Sequence, residues 1–174
     1  MRGRPCFRRR RDRAPPSHPD PCPAKPPVNE LPTPLHETIQ VHSAEGDALV
    51  QQSRFREAIA AYNEAWVLVP EPKHEWEAST WLLAAIGDAC FSGEYYKSGS
   101  EAFAFALHCP GGLGNPVLHL RLGQCEFERM QFDLAAEHLT RAYALEGTEV
   151  FDGEDPKYLE FLKTRIQPPA SGEW

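Results

Sequence analysis

A chain of 174 residues, 41% of them hydrophobic, is long enough to bury one core of ordinary size and too short for several. A formal charge of −7 disfavours a body built to grip nucleic acid or anionic lipid. No stretch approaches the roughly 20 apolar residues of a membrane span, and the early arginine cluster runs into Asp12, Arg13, Ala14, Pro15 and Pro16 instead of the apolar run of an export leader.

Residues 1–32 read as a disordered Arg/Pro-rich tail. Within residues 1–27, eight Arg or Lys side chains stand against Asp12 and Asp20, a formal +6, among eight prolines and almost nothing apolar. Residues 28–174 then hold 10 basic and 23 acidic side chains, or −13, a sign that suits solubility and encounter with basic proteins. A helical domain is expected over 33–168. Thr33 and Pro34 are an N-cap and first-position pair, after which Leu35, Ile39, His42, Gly46 and Leu49 mark one face of a helix ending near Gln52. A second helix runs from about Arg54 to Leu68 and is closed by Pro70 and Pro72. The next pair covers about His74 to Phe91 and Tyr95 to His108. Pro110-Gly111-Gly112-Leu113-Gly114 leads to the cap pair Asn115-Pro116, a helix over 116–129 and its partner from about Asp133 to Leu145. Asp155-Pro156 repeats the start signal, and Tyr158, Leu159, Leu162 and Ile166 form the stripe of a closing helix over about 156–166.

Three of these stretches share one pattern. Gly46 is followed by Phe55, Ala58, Tyr62 and Ala65; Gly87 by Tyr96, Gly99, Phe103 and Ala106; Gly123 by Phe132, Ala135, Leu139 and Ala142. The later members lie at +9, +12, +16 and +19 from the glycine, and the copies are offset by 41 and then 36 residues. Small residues let two helices approach closely, and large ones fill the space between pairs, so pairs over about 34–70, 74–109 and 116–147 should stack.

This pattern resembles the tetratricopeptide repeat, most clearly at Leu122-Gly123, Phe132, Ala135, Leu139, Ala142 and Tyr143, with Pro70 closing the first copy. His42, Gly99 and His119 depart from the family's usual residues, and the period exceeds its usual thirty-four. The resemblance implies an all-α solenoid of three helix pairs with a C-terminal capping helix, whose first helices line a concave groove. Carried over by register, that groove would present Asp47, Val50, Trp81, Ala84, Asp88, Phe91, Val117, Leu120, Arg121, Gln124 and Phe127. Aromatic anchors with acidic spots suit a protein or peptide partner that is basic or apolar. The relatives that clamp a carboxylate use Lys, Asn and Arg here, whereas this chain has Ser43, Asp47, Ala84, Asp88, Leu120 and Gln124, with Arg121 alone basic, so a carboxylate clamp is not expected. The run His119–Glu128 and the end Gly153–Tyr158 are similar to small bacterial tetratricopeptide proteins found beside secreted toxins.

Signals for chemistry are weak. The glycine run at 111–114 lacks the Lys-Ser/Thr of a nucleotide loop and no strand precedes it. His74, Glu75 and Glu77 have no second His at +4, and Glu146, Glu149, Asp152, Glu154 and Asp155 lack calcium-loop spacing. His42 and His119 share one repeat position, which points to packing. Five cysteines without a two-residue-spaced pair fit a cytoplasmic chain. The expectation is a non-catalytic binding module without cofactor or metal, acting as adaptor, secretion chaperone or toxin-neutralising immunity protein. The alternative makes the arginine-rich tail a tether to nucleic acid or anionic membrane and the solenoid a passive body.

Overall fold

The structure is a computed structural model that describes residues 30–167; the tail over 1–29 and the last residues lie outside it. Seven α-helices succeed one another among the described residues: α1 Thr33–Gln51, α2 Phe55–Leu68, α3 Glu77–Ser92, α4 Tyr96–Ala106, α5 Pro116–Glu128, α6 Phe132–Glu146 and α7 Pro156–Lys163. They pack as three antiparallel pairs, α1 on α2, α3 on α4 and α5 on α6, with successive pairs in contact through α2 with α3 and α4 with α5. Two short 3-10 segments connect elements, Lys73–Glu75 between α2 and α3 and Gly147–Phe151 between α6 and α7. The fold is the helical stack expected from the repeat.

The repeated spacing has a direct steric cause. A Cβ built on Gly46 would lie 2.4 Å from the Tyr62 ring, one on Gly87 would lie 2.5 Å from the Phe103 ring, and one on Gly123 would lie 2.8 Å from Leu139 Cγ. Each leading glycine therefore receives the large residue sixteen positions later, seated across the pair. Ala58 and Ala135 are fully buried at the +12 position. At the same position of the middle pair stands Gly99, where a Cβ would meet Cys125 Sγ of α5 at 3.1 Å, a tight contact.

Each pair also turns the same way. Ser53, Glu94 and Met130 take φ of 59°, 62° and 60°, and the following residue donates its N–H back to the helix, Arg54 to Leu49 at 2.9 Å, Tyr95 to Cys90 at 2.8 Å and Gln131 to Glu126 at 2.8 Å. This left-handed step satisfies carbonyls at the end of the first helix and reverses the chain in three residues.

Helix starts are capped unevenly. Asn115 accepts N–H bonds from Val117 and Leu118, and Asp155 accepts from Lys157, as their sequence signals imply. Thr33 differs: it is already inside α1, Pro32 holds the cap position, and no side chain caps the helix. Residues 73–75 likewise form a 3-10 turn before α3 begins at Glu77, later than expected from His74.

The apolar residues divide into two clusters. The larger joins α1 to α5 around Ile39, Tyr62, Leu82, Phe103, Leu118 and Cys125. The smaller joins Leu120 and Leu139 to Val150, Phe151, Tyr158 and Leu162, so the segment after α6 seals the end of the stack. Cys90, Cys109 and Cys125 are buried, and loss of water pushes their thiols up to about 11, 11 and 12, which makes them packing residues.

Candidate partner-binding cleft

Among the first helices of the three pairs, α3 touches both α1 and α5. On α3, Glu77, Trp81, Ala84 and Asp88 are spaced by four, three and four residues and so share a face. That face is the floor of an open cleft of about 550 Å³, completed by Thr80, Ala85, Pro110, Gly111, Asn115 and Leu118. Trp81 also walls a second hollow of about 390 Å³ shared with Glu30, Leu31, Thr33, His36, Glu77 and Ala78. One half-buried indole thus divides the two hollows, and the His36 ring meets it edge-on at 6.4 Å.

The loop that bounds the larger hollow is fixed from two sides. Thr80 Oγ1 donates to Pro110 O at 2.8 Å, and buried His119 Nε2 lies 3.1 Å from Leu113 O. A carbonyl can only accept, so His119 carries its proton on Nε2 and its Nδ1 accepts from His138 Nδ1, 3.2 Å away. Gly112 lets the same loop lie against the end of α4, since a Cβ there would fall 2.0 Å from Ala106 O. Packing thus explains Gly112, while Gly111 takes a φ of 76° in open space, and among the described residues no group of three His, Cys, Asp or Glu could hold a metal ion.

The histidine pair gives a pH prediction. Burial pushes both imidazoles below their ordinary value, and at His138 the neighbouring His119 adds to it; Arg141 acts in the same direction on both, opposed by Glu137. At these two sites the unfolded chain therefore binds more protons than the folded one once pH falls below about 6.5, and the stability they contribute is lost from there downwards. Thermal melts should show Tm falling from pH 7 to pH 5.5. His138→Asn keeps a donor near the Nδ1 position without a titrating group and should flatten that fall; an equal slope in the variant would show that the pair does not set it.

Charge in the cleft is mostly acidic. Glu77 is exposed and forms no ion pair among the described residues, and Asp88, with 53% of its side chain exposed, faces Arg121 Nε at 3.1 Å. Desolvation raises the Asp88 carboxyl above its ordinary value; Arg121 opposes the shift and Glu154 adds to it. Arg121 is shared further, with Nη1 donating to Glu154 at 2.8 Å and to Gln124 at 2.9 Å, while its guanidinium lies 5.5 Å from the Phe91 ring centre. The one cation expected in the groove is thus held by two carboxylates.

The other expected groove residues separate. Asp47 is exposed on α1 and accepts from Tyr62 Oη at 2.6 Å, Val50 packs against the core, and Val117 is 48% exposed. Leu120 is buried against Val150 and Phe151, and Gln124 is fully buried with its amide donating to Glu154 at 2.9 Å. Phe127 stacks edge-on with Phe132, Tyr158 and Phe161 at 5.6, 5.5 and 5.0 Å. Leu120 and Gln124 are therefore closed off by the chain's own closing segment, a correction to their expected place in the groove, whereas Phe127 keeps part of its ring exposed and packs its other side on α6 and α7. Glu77 was legible from its position four residues before Trp81; the loop residues 110–115 were not, because only tertiary contacts bring them to α3.

Three helix pairs whose leading glycines receive a large residue of the return helix, capped by a seventh helix, define a tetratricopeptide-type fold. The chain is similar in structure to the Yersinia enterocolitica type III secretion chaperone SycD, solved in complex with a peptide of the translocator YopD, at 12% identity over 74% of this chain and 92% of that one, with a TM-score of 0.59. It is also similar to the Sgt2 TPR domain from Aspergillus fumigatus, at 20% identity over 76% of this chain and 86% of that one, with a TM-score of 0.53. No protein-family model and no curated protein matches the sequence.

Proposed function

We propose that this chain is a non-catalytic, cytoplasmic binding module that holds an extended segment of a basic or apolar protein in the cleft around Trp81. The observation that carries the reading is that Trp81, Ala84 and Asp88 line an open hollow with an acidic margin, left uncovered by the described residues. A half-buried indole supplies contact area at low rotamer cost, and Glu77 and Asp88 can pair with Lys or Arg of a ligand. SycD, solved holding a translocator peptide, supports the same use of this fold here. Adaptor, secretion chaperone and toxin-neutralising immunity protein are the roles that suit such a module. No helix among the described residues is long and apolar enough to cross a membrane.

An array of basic, apolar and acidic peptides tests the reading. Basic and apolar peptides should bind, the basic ones more weakly at high salt. Trp81→Ala should cost about 2 kcal/mol or more, roughly thirtyfold in affinity, while circular dichroism shows unchanged helix content. Undiminished binding by the variant, or a preference for acidic peptides, would sink it.

A further inference from the structure

We propose that the basic, proline-rich residues 1–29 dock in the Trp81 cleft of their own chain, so that a partner binds by displacing them. This rests on the cleft being the binding surface and adds how that surface is regulated.

Glu30, the first described residue, already stands in the wall of the hollow beside Trp81, together with Leu31, Thr33 and His36. The chain before it therefore starts at the mouth of the cleft. Length is ample: twenty-nine residues in polyproline geometry reach roughly 90 Å at about 3.1 Å each. The face from Glu77 to Asp88 spans only about 17 Å of helix, so about six extended residues cover it.

Chemistry favours the same seat. Residues 1–27 carry +6, while the hollows present Glu30, Glu77 and Asp88, and Arg121, the cation that faces Asp88, is already shared with Glu154. Proline has no N–H to leave unpaired in a groove, and arginine stacks on an indole face. The tether decides the balance. A segment joined at the rim of its site has an effective concentration in the millimolar range, so even a contact with a Kd of about 1 mM would be occupied about half the time. A partner must then compete with the tail, and its apparent affinity falls by the fraction of clefts left open.

Paramagnetic broadening in the full chain tests this. A nitroxide on Cys6, with Cys22→Ser, labels the tail selectively because Cys90, Cys109 and Cys125 are buried. Amide resonances of Glu77, Trp81 and Ala84 should broaden while those of Glu137 and Arg141 on α6 do not. Changing Arg8, Arg9, Arg10 and Arg11 together to Ser, which leaves the helical body untouched, should remove the broadening and raise the affinity of a basic peptide about twofold or more. Glu77→Lys, at an exposed site without an ion pair among the described residues, should also remove it. Broadening that is absent from the cleft or even over the whole acidic surface overturns the proposal, including the case in which the tail binds single-stranded DNA instead. Peptide affinity equal with the native and neutralised tail would reject tail docking and leave cleft binding intact, whereas loss of peptide binding in both would reject the cleft reading itself.

Discussion

Phe103→Ala is expected to destabilise the fold by about 3–5 kcal/mol and to lower Tm by roughly 6–20 °C. Phe103 is among the largest fully buried side chains, and its ring lies against Gly87 at the centre of the middle helix pair. Removing it deletes apolar contacts on both sides and leaves a cavity between α3 and α4 that backbones bridged by glycine cannot close without sliding. Gly87→Ala attacks the same contact from the other helix. Its new methyl would lie 2.5–2.8 Å from three ring atoms, so the ring must shift, at a cost of about 1–3 kcal/mol. Because each change relieves or removes what the other disturbs, the double variant should cost less than the sum by at least about 0.5 kcal/mol. Chemical denaturation of the four proteins closes the cycle. Strict additivity would mean that the +16 pairing is coincidental and that helix approach has another cause.

Phe127→Ala should also unfold structure, not disable binding. Phe127 touches Phe132 at the start of α6 and Tyr158 and Phe161 of α7, and Tyr158 Oη donates to Glu128 at 2.8 Å beside it. Truncation should cost about 3 kcal/mol, the lower end for phenylalanine because the side chain is only partly buried. The loss should be local first. Hydrogen exchange in α7 and over 147–155 should accelerate more than in α3, since the closing segment forms a separate apolar cluster with its own boundary. Peptide affinity at the Trp81 cleft should stay within about twofold, the reverse of the Trp81→Ala result. A Phe127→Ala protein with native exchange and lost peptide binding would return Phe127 to the partner surface.

The histidines show how far repeat position carries. His42 and His119 occupy one register, and packing was expected of both. His119 is buried against His138 and the loop carbonyl of Leu113, while His42 is half-buried near Glu64 at 3.4 Å. Register sets the direction of a side chain from its helix. Its neighbours come from elements further along the chain, and those differ between the middle and the end of a stack.

Helix pairs, turns and stacking were legible in the residues because they depend on short spacings: glycine at one position, a large residue sixteen later and small residues between create complementary surfaces within about thirty residues. The face shared by Trp81, Ala84 and Asp88 was legible for the same reason, being set by the turn of one helix. Tertiary structure alone decided which first-helix residues stay open. Leu120, Gln124 and Phe127 share the inward register of their counterparts on α3, but residues 147–163 fold over the first two and against one side of Phe127, and Glu154 reaches back to hold Arg121 and Gln124. Burial of an inward face is a property of the neighbour that covers it, and for the last pair that neighbour is a segment outside the repeat.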